Sequence, residues 1–206
     1  MSQLNDLELD ALTEVFNIGV GQAAAAMSRM VKEEVTLSVP TISFMSRNAV
    51  AEALTEDVGQ RICSVSQRFE GAFDTDAILM FPESKSLEIV RMMIGEEIPL
   101  DELTDLEQEA LSEIGNIILN ALMGTLANVF NSEFSSSLPV FHLGTSSEIL
   151  PAGSESGGEV VMLLRIDFNL VQRQIQGYVA FLLDISSMRG LKDSIGRFIG
   201  NIGRHA

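Results

Sequence analysis

The sequence predicts an α+β fold made of two related halves, and three observations carry that prediction. First, ELDALTEVFNI at 8–18 resembles EQEALSEIGNI at 107–117, a repeat at an offset of 99 residues that also carries Pro40 onto Pro139. Second, each copy opens and closes on apolar residues spaced as on a helix and holds alternating, strand-like runs in between. Third, those runs follow one another through hairpin-like connections, which favour antiparallel pairing. The expected organisation is one domain over 1–206, built of repeats at about 1–100 and 101–206 with a seam near EEIPLDELTD at 96–105.

The elements follow in chain order. Asn5 with Glu8, and Thr104 with Glu107, each read as an N-cap followed by an acid at the third helical position, an arrangement that satisfies orphan helix N–H groups. Each copy therefore starts with a helix. Leu12, Phe16, Ala23 and Met30 are its predicted core residues in the first copy; Leu111, Ile114, Ile118, Leu122 and Phe130 are those of the second. VTLSV, RICSVSQRF and AFDTDAILMF read as strands of the first copy, EVVMLLRIDF and QIQGYVAFLLDI as strands of the second. Shorter helices at 86–95 and 190–200 close the copies, each stopped by glycine, and SSEILPAGSESGGE at 146–159 reads as a loop.

Composition excludes several classes of function. Against 13 Lys and Arg stand 29 Asp and Glu, a net charge of −16 that repels phosphate backbones and anionic lipid, so neither nucleic acid nor a membrane surface is an expected partner. The opening MSQLNDLELD has no basic or apolar region of a leader, and apolar runs are interrupted before membrane-spanning length. A cytoplasmic protein without membrane insertion is expected. Cys63 is the sole cysteine and lies in an alternating stretch, as a buried strand residue rather than a nucleophile. His142 and His205 sit in no metal-ligand spacing, and no nucleotide-binding or serine-hydrolase fingerprint occurs. Any chemistry must rest on carboxylates and amides.

Such groups are lined up twice. On a helix Asp10, Glu14 and Asn17 stand at i, i+4 and i+7, sharing one face, and Glu109, Glu113 and Asn116 repeat the pattern. Acids at i and i+4 repel by about 0.2–0.5 kcal/mol, so stability alone would favour a lysine partner. A solvated helix face remains the plain alternative. The distance to proline adds a constraint: from Asn17 to Val31 the helix climbs about 21 Å, and Glu34 to Pro40 returns about 20 Å as a strand, which sets the proline level with the asparagine. Proline lacks a backbone donor and holds the preceding residue extended, marking where the strand leaves the helix face.

The pattern D-x3-E-x2-N-x22-P at Asp10, Glu14, Asn17 and Pro40, with E-x3-E-x2-N-x22-P at Glu109, Glu113, Asn116 and Pro139, resembles the CheC/CheX/FliY family of chemotaxis phosphatases. Two copies in one chain of this length look like the two-site CheC form. Glu109 departs from the family's Asp or Ser, and GNII replaces GNIG in the second copy; the GNIG at 200–203 has no glutamate three residues before its asparagine and is not a site.

The resemblance implies two halves sharing an antiparallel sheet, two long helices side by side, and stripes turned outward. It implies hydrolysis of the aspartyl phosphate of a CheY-type response regulator, with no cofactor of the chain's own and Mg²⁺ on the regulator. Asn17 and Asn116 would hold the attacking water, as a glutamine does in small GTPases. Glu14 and Glu113 would dock the regulator's active-site lysine, and Asp10, Pro40, Glu109 and Pro139 would support the motif. It also implies pairing with CheD through the last helix. Two rivals stay open: an adaptor or flagellar-switch-like module that binds the phosphorylated regulator without hydrolysing it, and a duplicated domain with a purely structural role.

Overall fold

The computed structural model describes residues 4–31, 34–58, 61–94, 104–150, 160–170 and 173–202. The first repeat runs α1 (Asp6–Val31), β1 (Thr36–Met45), α2 (Arg47–Val58), β2 (Ile62–Gly71), β3 (Thr75–Pro82) and α3 (Glu83–Ile94). The second runs α4 (Thr104–Phe130), β4 (Phe134–Ser136), β5 (Val140–Gly144), α5 (Ser146–Ile149), β6 (Val160–Leu170), β7 (Arg173–Leu183) and α6 (Ile185–Ile202). The 99-residue offset seen in the opening helices holds to the end of the fold: β4 and β5 together answer β1, β6 answers β2, and β7 answers β3.

All strands join one antiparallel sheet in the order β1-β6-β7-β3-β2-β4, with β5 also on β2. The first strand of each repeat therefore pairs with a strand of the other repeat, β1 with β6 and β5 with β2. The central strands are buried on both faces, which is why AILMF of β3 and YVAF of β7 are continuous apolar runs instead of alternating ones. One face carries the main core, to which α1 contributes Leu12, Phe16, Val20 and Ala23 and α4 contributes Leu111, Ile114, Ile118 and Leu122. Phe16 stacks on Phe181 of β7 at 5.5 Å between ring centroids. The opposite face carries a smaller core under α2, with Val50 and Leu54 against Ile78, Met80, Leu163 and Ala180.

The two long helices lie side by side: a Cβ added at Gly19 would meet the Leu122 backbone at 3.2 Å. By length and hydropathy α4 could cross a membrane, yet more than half of its apolar stretch is buried inside the protein, so core burial against α1 and the sheet accounts for its composition.

Several expectations need correction. Met30 is 39% exposed and Phe130 only half-buried, so the core ends about a turn before each helix does. The box Asn5–Glu8 forms in both directions, at 2.8 and 2.9 Å. In the second copy Glu107 accepts from Ser86 Oγ at 2.6 Å, and the cap expected at Thr104 lies outside the described side chains. The helix expected at 190–200 begins at Ile185, because Asp184 caps it by accepting from Ser187 N at 2.6 Å, and it runs through Gly200 to Ile202. The helix expected at 86–95 begins at Glu83. Gly95, most of the seam at 96–105 and residues 151–159 of the expected loop lie outside the described residues, while Ser146–Ile149 forms the capped turn α5. Helix α2 escaped the sequence reading, since among its described side chains Val50 and Leu54 alone are buried hydrophobics. Cys63 sits in β2 as expected; burial pushes its thiol up to about 11 and leaves it protonated at neutral pH.

Candidate functional site

Both stripes lie on the outer side of their helices. Asp10, Glu14, Glu109 and Glu113 are exposed, and Asn17 and Asn116 are half-buried at the inner margin. Each stripe begins with an exposed leucine at equivalent positions, Leu7 and Leu106, so an apolar contact flanks the acids in both copies. Sequence reasoning passed over these leucines, although they occupy the same helix face one turn before the first acid.

At the first site the proline geometry can be checked directly. Val39, which precedes Pro40, donates its N–H to Asn17 Oδ1 at 3.1 Å across 22 residues of chain. Asn17 Nδ2 donates to the Thr13 carbonyl at 3.0 Å. The carboxamide is thus held at both ends by main chain. The helix–strand turn that makes this possible is tied by Ser28, whose hydroxyl accepts from Val35 N at 2.9 Å. Pro40 itself lies in β1, where the pairing with β6 shifts register between Ser38 and Thr41, as a residue without an N–H requires.

The second site is built otherwise. Here the strand breaks outright, β4 ending at Ser136 and β5 starting at Val140, with Pro139 in the gap. Val39 is 2% exposed, whereas its counterpart Leu138 is turned out to 83%. Asn116 Oδ1 accepts two side-chain donors in place of a main-chain one: Asn120 Nδ2 at 2.8 Å and Gln67 Nε2 at 3.3 Å. Gln67 lies on β2, so a residue of the first repeat completes the second site. The break also opens a groove of about 510 Å³ that brings Glu109, Glu113 and Pro139 together with Asp105, Gln108, Ser112 and Phe141.

Gln67 and Asn120 were missed by sequence reasoning. A signal existed for the first: Cys63, Val65, Gln67 and Phe69 form the buried phase of β2, and a primary amide in that phase needs hydrogen-bond partners. Among the described residues no group of three or more His, Cys, Asp or Glu side chains is disposed to hold a metal ion.

The arrangement offers two solvent-facing pairs of carboxylates, each beside a carboxamide whose oxygen is anchored by N–H donors. Such a surface can dock a cation and hold a small polar molecule at the amide. The CheC-like family model matches residues 7–44, the span that contains Asp10, Glu14, Asn17 and Pro40. "CheY-P phosphatase CheC" of Bacillus subtilis is 23% identical over 202 residues, covering 94% of this chain and 96% of that protein. Over that motif-bearing span the chain is similar to the CheC-like family.

Other relatives mark the breadth of this fold. "Flagellar motor switch phosphatase FliY" of Bacillus subtilis is 23% identical over 176 residues, which cover 82% of this chain but 44% of that longer protein. Among solved structures, Thermotoga maritima FliY superposes with a TM-score of 0.78 at 15% identity, covering 96% of this chain and 100% of that one. The FliM middle domain of H. pylori gives 0.69 at 11% identity, over 93% and 99% of the two chains. The CheX-CheY-BeF3-Mg2+ complex of Borrelia burgdorferi gives 0.50 at 17% identity, over 87% and 97%. At these identities the likeness concerns the fold alone.

Proposed function

We propose that this chain hydrolyses the aspartyl phosphate of a phosphorylated CheY-type response regulator in the cytoplasm. The observation that carries the reading is the pair of outward acid–asparagine stripes, each with its asparagine oxygen pinned by an N–H donor, at 3.1 Å in the first site and at 2.8 and 3.3 Å in the second. A carboxamide whose oxygen is so fixed meets a ligand as a donor through Nδ2, and an uncharged donor meets a phosphoryl group or its attacking water without repulsion. The "CheY-P phosphatase" name of the Bacillus relative and the CheX-CheY complex support the same substrate class.

In this reading Asn17 and Asn116 orient the water, and Glu14 and Glu113 pair with a lysine of the regulator while Leu7 and Leu106 supply apolar contact. Asp10 and Glu109 add to the acidic docking field, and Pro40 and Pro139 interrupt regular strand pairing beside the asparagines, by a register shift within β1 and by the break between β4 and β5. The chain would bring no cofactor of its own; Mg²⁺ would belong to the regulator. Catalysis is then positioning and charge placement, which suits phosphoryl transfer.

Decay of phosphorylated regulator in the presence of Mg²⁺ tests this. Asn17→Ala or Asn116→Ala should each remove one site's turnover with binding retained, and the double variant should lose acceleration by about 10²-fold, as expected for a misplaced water. Glu14→Lys and Glu113→Lys should raise KM, because a like charge then faces the regulator's lysine. Wild-type rates in the double asparagine variant would overturn the mechanism. Binding of the phosphorylated form without acceleration by the wild-type chain would install the adaptor reading, which the FliM-like fold makes the natural rival. Pairing with CheD through α6 belongs to the same proposal on resemblance alone: Leu191 and Ile195 of that helix are buried, which leaves Ile185 and the half-buried Met188, Phe198 and Ile199.

A further inference from the structure

We propose that Gln67 and Asn120 are positioning residues for Asn116, so that the second site depends on a side chain lent by the first repeat while the first site does not. The inference rests on the phosphatase reading and deepens it.

The hydrogen bonds determine which way each amide points. Gln67 Nε2 also donates to the Ser137 carbonyl at 3.0 Å, and Asn120 Nδ2 also donates to the Asn116 carbonyl at 2.8 Å. A main-chain carbonyl can only accept, so both side-chain nitrogens are fixed as donors. They converge on Asn116 from two directions, and only Oδ1 can receive them. A flipped Asn116 would set N–H groups against N–H groups. Asn120 Nδ2 lies 3.2 Å from Gln67 Oε1 as well, which closes the three amides into one network.

Two lone pairs is the whole accepting capacity of a carboxamide oxygen. With both engaged, Asn116 acts toward a ligand as a donor through Nδ2. At Asn17 one main-chain N–H occupies Oδ1 and Thr13 takes one Nδ2 hydrogen, so the two sites fix the same side chain by different means.

Core packing does not explain Gln67. It is 2% exposed, and the position 99 residues later on β6 is Ile166 at 0%, a residue that fills the same place without polar atoms to satisfy. Asn120 likewise answers Gly21, so the first copy lacks both members of the network. Burial of an amide is costly unless its groups are paired, and here the pairing runs through Asn116.

The test measures regulator dephosphorylation in two backgrounds. In Asn17→Ala protein, where the second site works alone, Gln67→Leu or Asn120→Ala should lower kcat about ten- to a hundredfold with KM nearly unchanged. In Asn116→Ala protein, where the first site works alone, the same substitutions should leave both constants as they were. Asn120 is half-buried on a helix surface, so its variant keeps the test valid should Gln67→Leu fold poorly. Equal losses in both backgrounds would mean a structural effect and overturn the inference, as would unchanged rates in Asn17→Ala protein or an Asn17→Ala chain with no residual turnover. A wild-type chain that gives no acceleration at all removes the phosphatase reading, and this inference with it.

Discussion

Asp184 is where a single residue sets a helix boundary. The backbone N–H of Ser187 bonds its carboxylate and holds its pKa below the ordinary 3.8. A depressed carboxyl stabilises the fold fully above its unfolded pKa, and that contribution is lost as pH falls through the folded one. Replacing an N-cap aspartate by alanine costs about 1 kcal/mol. Asp184→Ala should therefore lower the melting temperature at neutral pH, and the gap to wild type should close on acidification below the ordinary aspartate range. A gap that stays constant down to acid would show that the carboxylate is not the capping group. The same residue explains why periodicity placed the start of α6 five residues late: a cap is a hydrogen bond, invisible to an apolar pattern.

Between elements, the contact of α4 with β2 decides the second site. Gly115 precedes Asn116, and a Cβ there would sit 2.4 Å from Val65 Cγ1 and 2.5 Å from Val65 Cβ. Helix propensity alone predicts that Gly115→Ala gains about 1 kcal/mol. The close approach reverses the sign: the variant should lose about 1–3 kcal/mol in a denaturant melt, as overpacked cores do. Removing the obstacle in Gly115→Ala/Val65→Ala should return part of the loss, a coupling that a double-mutant cycle reads directly. Additive losses would contradict the contact. In the first copy the same position is Phe16, stacked on Phe181, and the residue equivalent to Gln67 is the apolar Ile166.

On the scale of the whole molecule, the exchange of strands makes the halves interdependent. β1 pairs with β6, β5 with β2, and β3 with β7, so every contact between strands of different repeats is lost if the chain is divided near residue 100. Each half would expose long edges and half of the shared core. Residues 1–100 and 101–206 made separately should each lack a cooperative melt by circular dichroism, and mixing them should restore one. A cooperative transition in either half alone would show two independent domains.

The duplication, the alternation of helix and strand, the outward stripes and the level placement of asparagine and proline were legible because they are properties of period and length along the chain. Asp10, Glu14 and Asn17 share a helix face and the strand returns level with Asn17 for reasons of helical pitch and strand rise, and the Val39–Asn17 hydrogen bond at 3.1 Å is what that arithmetic describes. What sequence alone left open was which strand lies beside which helix. Sheet order β1-β6-β7-β3-β2-β4 is set by long-range pairing, and it puts Gln67 of the first repeat against Asn116 of the second. Read in sequence the two sites are near copies. In space they differ, because Ile166 and Gln67 occupy equivalent places in the sheet and only Gln67 carries a hydrogen-bond donor.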